Sequence, residues 1–159
     1  GVEKCNYDGT GYQFVFYSPV TGSGGGPIRV LVDETNGKVW HYNTLNTTWY
    51  ESNLDGSGMV AILNASAALA FDPIAQEIYI GRNNSISKMP YGGGTQTVIK
   101  TGLANSSPYV FVEVREGGER KLWYRDEHLV VCDLDGSNEQ IVKENIGNGA
   151  FYVVKLPGL

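Results

Sequence analysis

Along this chain the apolar residues fall in short runs rich in β-branched and aromatic side chains, and clusters of Gly, Asn, Asp and Ser separate them. Runs of that kind between turn formers predict strands. They recur in a fixed order within units of about forty residues, spanning 27–67, 68–107 and 108–148. The first run of each unit ends in an acid: "RVLVD" at Asp33, "ALAFD" at Asp72 and "YVFVE" at Glu113. The second carries aromatics, in "KVWHYN", "EIYIGR" and "KLWYRD". The third and fourth flank a turn, in "WYESNLDGSGMVAIL", "ISKMPYGGGTQTVI" and "LVVCDLDGSNEQIV". No long stretch keeps a 3.6-residue period; "ILNASAALAF" comes nearest, and Asn64 and Ser66 interrupt it, so almost no helix is expected.

Composition adds a size and a compartment. With 159 residues, 42% of them hydrophobic, the chain can bury a core of its own, and a single domain over 1–159 is expected. The net charge of −5 is spread without basic clusters, which argues against nucleic acid and anionic membrane as partners. The apolar runs are too short to span a bilayer. A chain that starts at Gly1 without a signal peptide reads as a mature, processed product. Sequons at Asn46, Asn64, Asn83 and Asn105 exceed the roughly 1.4 that composition alone would give, so a secreted, extracellular glycoprotein is expected. Two cysteines suit that compartment and are too few for a disulfide scaffold.

Four strands per unit make the blade of a β-propeller, and the recurring residues resemble the YWTD repeats of low-density-lipoprotein-receptor-type propellers. Trp40-His41-Tyr42-Asn43, Tyr79-Ile80-Gly81-Arg82 and Trp123-Tyr124-Arg125-Asp126 fill the Y-W-T-D slot, and no unit keeps the tetrapeptide intact. The N-L-D-G slot is better kept, by Asn53-Leu54-Asp55-Gly56 and Asp133-Leu134-Asp135-Gly136, whereas Met89-Pro90-Tyr91-Gly92 has lost its acid. The ends fit the same scheme. "VEKCNYDGTGYQFVFY" reads as a third and fourth strand around Asp8-Gly9, and "AFYVVKL" as a first strand with Lys155 in the acid slot, so 1–20 and 149–159 form a mixed closing blade. The expectation is therefore an all-β propeller of about four blades; the alternative, since the family's domains normally have six, is part of a larger ring completed by a second chain.

In that architecture Asp33, Asp72 and Glu113 converge toward the axis. Propeller lactonases hold a hard cation with such carboxylates, whereas YWTD propellers use the acid to cap the following turn and tie one blade to the next. The structural use is favoured, because Lys155 sets a cation in the fourth slot; no metal and no cofactor is expected. His41 and His128 read as surface or half-buried residues, no serine lies in a nucleophile elbow, and the "GSGGG" loop lacks the Lys-Ser/Thr of a phosphate site, so no catalytic residue and no enzyme is expected. Cys5 and Cys132 hold the same slot of two repeats, where strands diverge beyond the roughly 7 Å a disulfide tolerates; a bridge to another chain or to a second copy is favoured over an internal one.

Trp40, Tyr79 and Trp123 belong between sheets. Trp49 and Tyr50, beside a sequon, are expected to be exposed for stacking on sugar. In a four-stranded antiparallel blade the loops after strands two and four share one end, so all four sequons project from one face and the Asp-Gly turns from the other. The functional expectation is a binding module with carbohydrate, in the manner of a lectin, ahead of an extracellular protein ligand, and a calcium-dependent lactonase-like enzyme third. Asp55, Asp135, Asn138, Asn36, Trp49 and Tyr50 are the candidate ligand residues.

Overall fold

A computed structural model describes residues 2–5, 8–16 and 27–146 of the chain. It is all-β. A short hairpin pairs β1 (Val2–Lys4) with β2 (Gln13–Phe16) around the Asp8-Gly9 turn. Three four-stranded sheets follow, each an antiparallel meander in chain order. The first holds β3 (Pro27–Asp33), β4 (Lys38–Asn43), β5 (Thr48–Asn53) and β6 (Val60–Asn64); the second β7 (Ala68–Asp72), β8 (Glu77–Arg82), β9 (Ser85–Pro90) and β10 (Thr97–Lys100); the third β11 (Tyr109–Val114), β12 (Arg120–Arg125), β13 (Leu129–Cys132) and β14 (Gln140–Lys143). Among the described residues the single helical turn is the 3-10 segment Glu116–Gly118. The expected strand "AFYVVKL", its Lys155 and the "GSGGG" loop lie outside the described residues.

The chain divides into two compact units, Gly1–Ser66 with Pro90–Gly94, and Ala67–Met89 with Thr95–Leu159. In the first, register assigns the faces of the sheet, since directly paired residues share a side. Leu31, Trp40, Glu51 and Val60 are aligned across the four strands, as are Arg29, Tyr42, Trp49 and Leu63. Trp40 (0% exposed) and Trp49 (1%) fill this face, and Tyr91 packs on Trp40 edge to face at 4.7 Å. The opposite face aligns Val30, His41, Tyr50 and Ala61, and Val39 on that side packs against Val15, Leu54 and Met59. β4 is thus covered on both sides, which is why its run lacks the polar alternation of a half-exposed strand.

In the second unit the faces of two sheets make one core: Ala68, Ala70, Tyr79 and Ile86 with Val110, Val112, Leu122, Tyr124, Val130 and Cys132. Small residues on β7 let the sheets approach closely. Gly81 shows how closely: a Cβ there would sit 1.9 Å from the Pro108 carbonyl oxygen, so the residue that breaks the Y-W-T-D pattern in this unit is the one the backbone approach requires.

Candidate functional site

The Asp-Gly turns are one device used three times. Asp55 Oδ1 accepts from Ser57 N (2.9 Å) and Ser57 Oγ (2.6 Å). Asp135 accepts the same pair from Ser137 at the same distances, and Asp8 from Thr10. The following glycine, at φ +82° in Gly56 and +84° in Gly136, takes the left-handed conformation that closes the turn. Hydrogen bonds from Ser137 hold the Asp135 carboxyl below the ordinary carboxylate range, and those from Thr10 do the same for Asp8. Beside Asp135, Asp133 is lowered first by Lys121, whose Nζ lies 2.6 Å away, and then by Asn138, whose Nδ2 donates to it at 2.6 Å. Asn138 is therefore part of the turn, and Asn36 is built in likewise, donating to Asp33 through its backbone N (3.2 Å) and Nδ2 (2.7 Å). The carboxylates of Asp55 and Asp135 stay at the exposed surface.

The strand-one acids are engaged locally. Asp33, 3% exposed, accepts from Asn36 and from Tyr91 Oη at 2.8 Å. Asp72, 0% exposed, accepts from Ile74 N and Ala75 N in the next turn and from Arg120 Nη1 at 2.6 Å. Glu113 accepts from Trp123 Nε1 (2.8 Å) and pairs with Arg115. Among the described residues no three His, Cys, Asp or Glu side chains gather as metal ligands.

Several expectations are corrected. Trp49 is buried between Tyr42 and Leu63, and Tyr50 stacks on His41 at 5.3 Å while its hydroxyl accepts from Asn46 Nδ2, so neither offers an open ring face as an exposed sugar platform would. His41 is fully buried rather than superficial, and that burial lowers its pKa to about 4. Cys132 is sealed in the second core, 2% exposed, where desolvation raises its thiol to about 11; it is a free thiol, and a bridge through it to another chain would require the core to open. Cys5 is free and exposed.

The first and second sheets each place their two sequons at one end. Thr48 pairs with Asn64, which sets Asn46 and Asn64 together, and Asn84 reaches the Leu103 carbonyl oxygen, which joins the Asn83 turn to the segment carrying Asn105. Sequence reasoning missed four residues that organise the sheet ends: Glu51, which accepts from Trp40 Nε1 and Gly92 N, Tyr91 and Arg120 at the turn ends, and Asp126 at a sequon end, which accepts from Ala104 N and Asn105 N. Asp126, the last residue of the third Y-W-T-D slot, carried a signal. A further unannounced feature is Arg125, 3% exposed, stacked 4.7 Å over Tyr109, with Nε and Nη1 lacking hydrogen-bond partners.

No family model and no curated protein matches the chain. Solved structures do. The crystal structure of a nidogen/laminin complex is similar to it at TM-score 0.67 with 10% identity, over 90% of this chain and 56% of that one. A gluconolactonase from Xanthomonas campestris is similar at TM-score 0.58 with 17% identity, over 87% and 54%. The chain thus spans about half the length of each. Both are β-propellers, and with its four-stranded antiparallel sheets the chain has the β-propeller fold. The expectation that it is not an enzyme is overturned at the level of that fold, since one of the structures that share it is a gluconolactonase. Among the described residues no helix is long and apolar enough to cross a membrane.

Proposed function

We propose that this chain is a secreted binding module of the YWTD type that meets an extracellular protein through the Asp-Gly turn end of its blades. The observation that carries this reading is the recurrence of one rigid, exposed, acidic turn at Asp55 and Asp135 with matching hydrogen bonds. Within each of those sheets the turn lies at the end opposite loop 44–47 or 126–128, so a glycan at the first sheet's Asn64 leaves its turn end open. A pre-ordered polar turn suits a protein surface, because little side-chain entropy is lost on docking. The carbohydrate alternative loses its support with the burial of Trp49. A protein partner is further favoured by the likeness to a nidogen structure determined in complex with laminin. The test is a binding panel of purified extracellular matrix proteins, laminin included, run beside a glycan array. Binding to a protein at micromolar Kd or better, weakened by Asp55→Asn with Asp135→Asn, is the expected outcome. Those variants keep the Oδ1 acceptor and replace the charged Oδ2 with a neutral amide nitrogen; unchanged affinity would exclude the turn end.

A second reading, hydrolysis of a lactone, is favoured by the likeness to the gluconolactonase. Turnover of gluconolactone above the uncatalysed rate would establish it, and a rate at background with and without added divalent cations would remove it.

A further inference from the structure

We propose that the four sequons are not equivalent: the fold excludes an N-glycan from Asn46 and admits one at Asn64 and Asn83. This rests on the reading of the chain as a secreted glycoprotein. Asn46 Nδ2, the atom that would carry the sugar, donates to Tyr50 Oη at 2.7 Å. Its Oδ1 is buried and makes no hydrogen bond. The glycosylated amide is planar and trans, like a peptide, so the first sugar carbon lies on the same side of the C–N bond as Oδ1. A sealed Oδ1 therefore means that no room exists where the sugar must begin. Exchanging the amide oxygen and nitrogen leaves the conclusion standing, because Nδ2 itself then becomes the buried atom and Tyr50 Oη the donor.

The surroundings hold Asn46 in this placement. Tyr50 is fixed by its stack on the buried His41. Thr47 holds φ +53°, and Thr48, whose hydroxyl completes the sequon, is 6% exposed with Oγ1 donating to the Asn46 carbonyl oxygen at 3.0 Å. Asn64 and Asn83 differ in the exposure of the asparagine itself. Both are exposed. Asn64 Oδ1 has one long contact, 3.4 Å from Thr48 Oγ1, and Asn83 opens a two-asparagine turn at φ +53°. Because glycans are attached before folding is complete, the exclusion acts on the product: a chain modified at Asn46 cannot close the loop between β4 and β5 in this form.

The experiment is secretion of the chain from glycosylating eukaryotic cells, enzymatic release of glycans in heavy-oxygen water, and site occupancy by peptide mass spectrometry. Asn64 and Asn83 are expected to be predominantly occupied in the folded fraction and Asn46 occupied in less than about a tenth of molecules. Tyr50→Ala, which removes the hydroxyl and the stack, raises occupancy at Asn46. Asn46 occupied as fully as Asn64 and Asn83 would overturn the inference and leave the glycoprotein reading intact. Occupancy at none of the sequons would sink that reading instead, and the structural half is then decided by stability: Asn46→Gln lowers Tm by about 2–4 °C while Asn64→Gln leaves it within about 1 °C. Equal values for the two would overturn it.

Discussion

Asp33 and Asp72 hold the same slot in consecutive repeats, yet the protein satisfies them by different chemistry. In the first unit the carboxylate of Asp33 accepts from neutral groups, Asn36 and the phenol of Tyr91. In the second the fully buried carboxylate of Asp72 accepts two backbone N–H groups and the guanidinium of Arg120, itself partly exposed. Repeats of this kind conserve a geometric task, ending a strand and capping a turn, while the partner that completes the task is free to drift. The two partners set different penalties for disruption. Removing a phenol takes one neutral donor from Asp33; removing Arg120 takes a charged partner from a fully buried carboxylate.

The largest expected effect is therefore Arg120→Met, which takes the guanidinium from the buried Asp72 carboxylate and costs about 3–5 kcal/mol in denaturant unfolding. A loss under about 1 kcal/mol would erase the contrast between the units. Next comes the fall of stability in acid that His41 imposes on the first unit. Its folded pKa of about 4 lies below the unfolded value of about 6.5, so between them the unfolded chain binds a proton that the folded chain refuses. Stability is full above pH 6.5 and drops by about 3 kcal/mol as pH falls toward 4. His41→Gln flattens that limb, and an unaltered pH profile in the variant would assign the acid sensitivity elsewhere. The smallest effect is Tyr91→Phe, expected at about 1 kcal/mol, because the ring keeps its packing on Trp40 and only one hydrogen bond is lost. A cost equal to that of Arg120→Met would show that the two slots are energetically alike.

Much of the fold was legible because strand ends are marked chemically. The acids at Asp33 and Asp72 fall on the last residues of β3 and β7, and "KVWHYN" and "EIYIGR" are β4 and β8 in full. Near Glu113 the strand runs one residue further, to Val114, since a valine after the acid continues an extended run without strain. The site was less legible, for a reason of register. Trp49 and Tyr50 stand side by side beside a sequon, and which of them turns inward depends on a pairing that a one-residue slip would invert. The pairing of Trp49 with Tyr42 and Leu63 buries it, and Tyr50, on the other face, meets His41. Tyr91 was invisible in another way: as a missing acid in "MPYG" it looked like decay of the repeat, whereas its hydroxyl reaches an acid 58 positions earlier. Arg120 likewise meets Asp72 across 48 positions, a proximity that only the packing of two sheets creates.

The central claim is that the strand-one acids act as structural ties, each closing its turn and a neighbouring element. A double-mutant cycle between Asp72→Asn and Arg120→Met, read by equilibrium denaturation, tests it most directly. A coupling energy of about 2 kcal/mol is expected, in the range of paired groups that share a buried contact. Additive losses, with a coupling below about 0.3 kcal/mol, would contradict it and free Asp72 for another role.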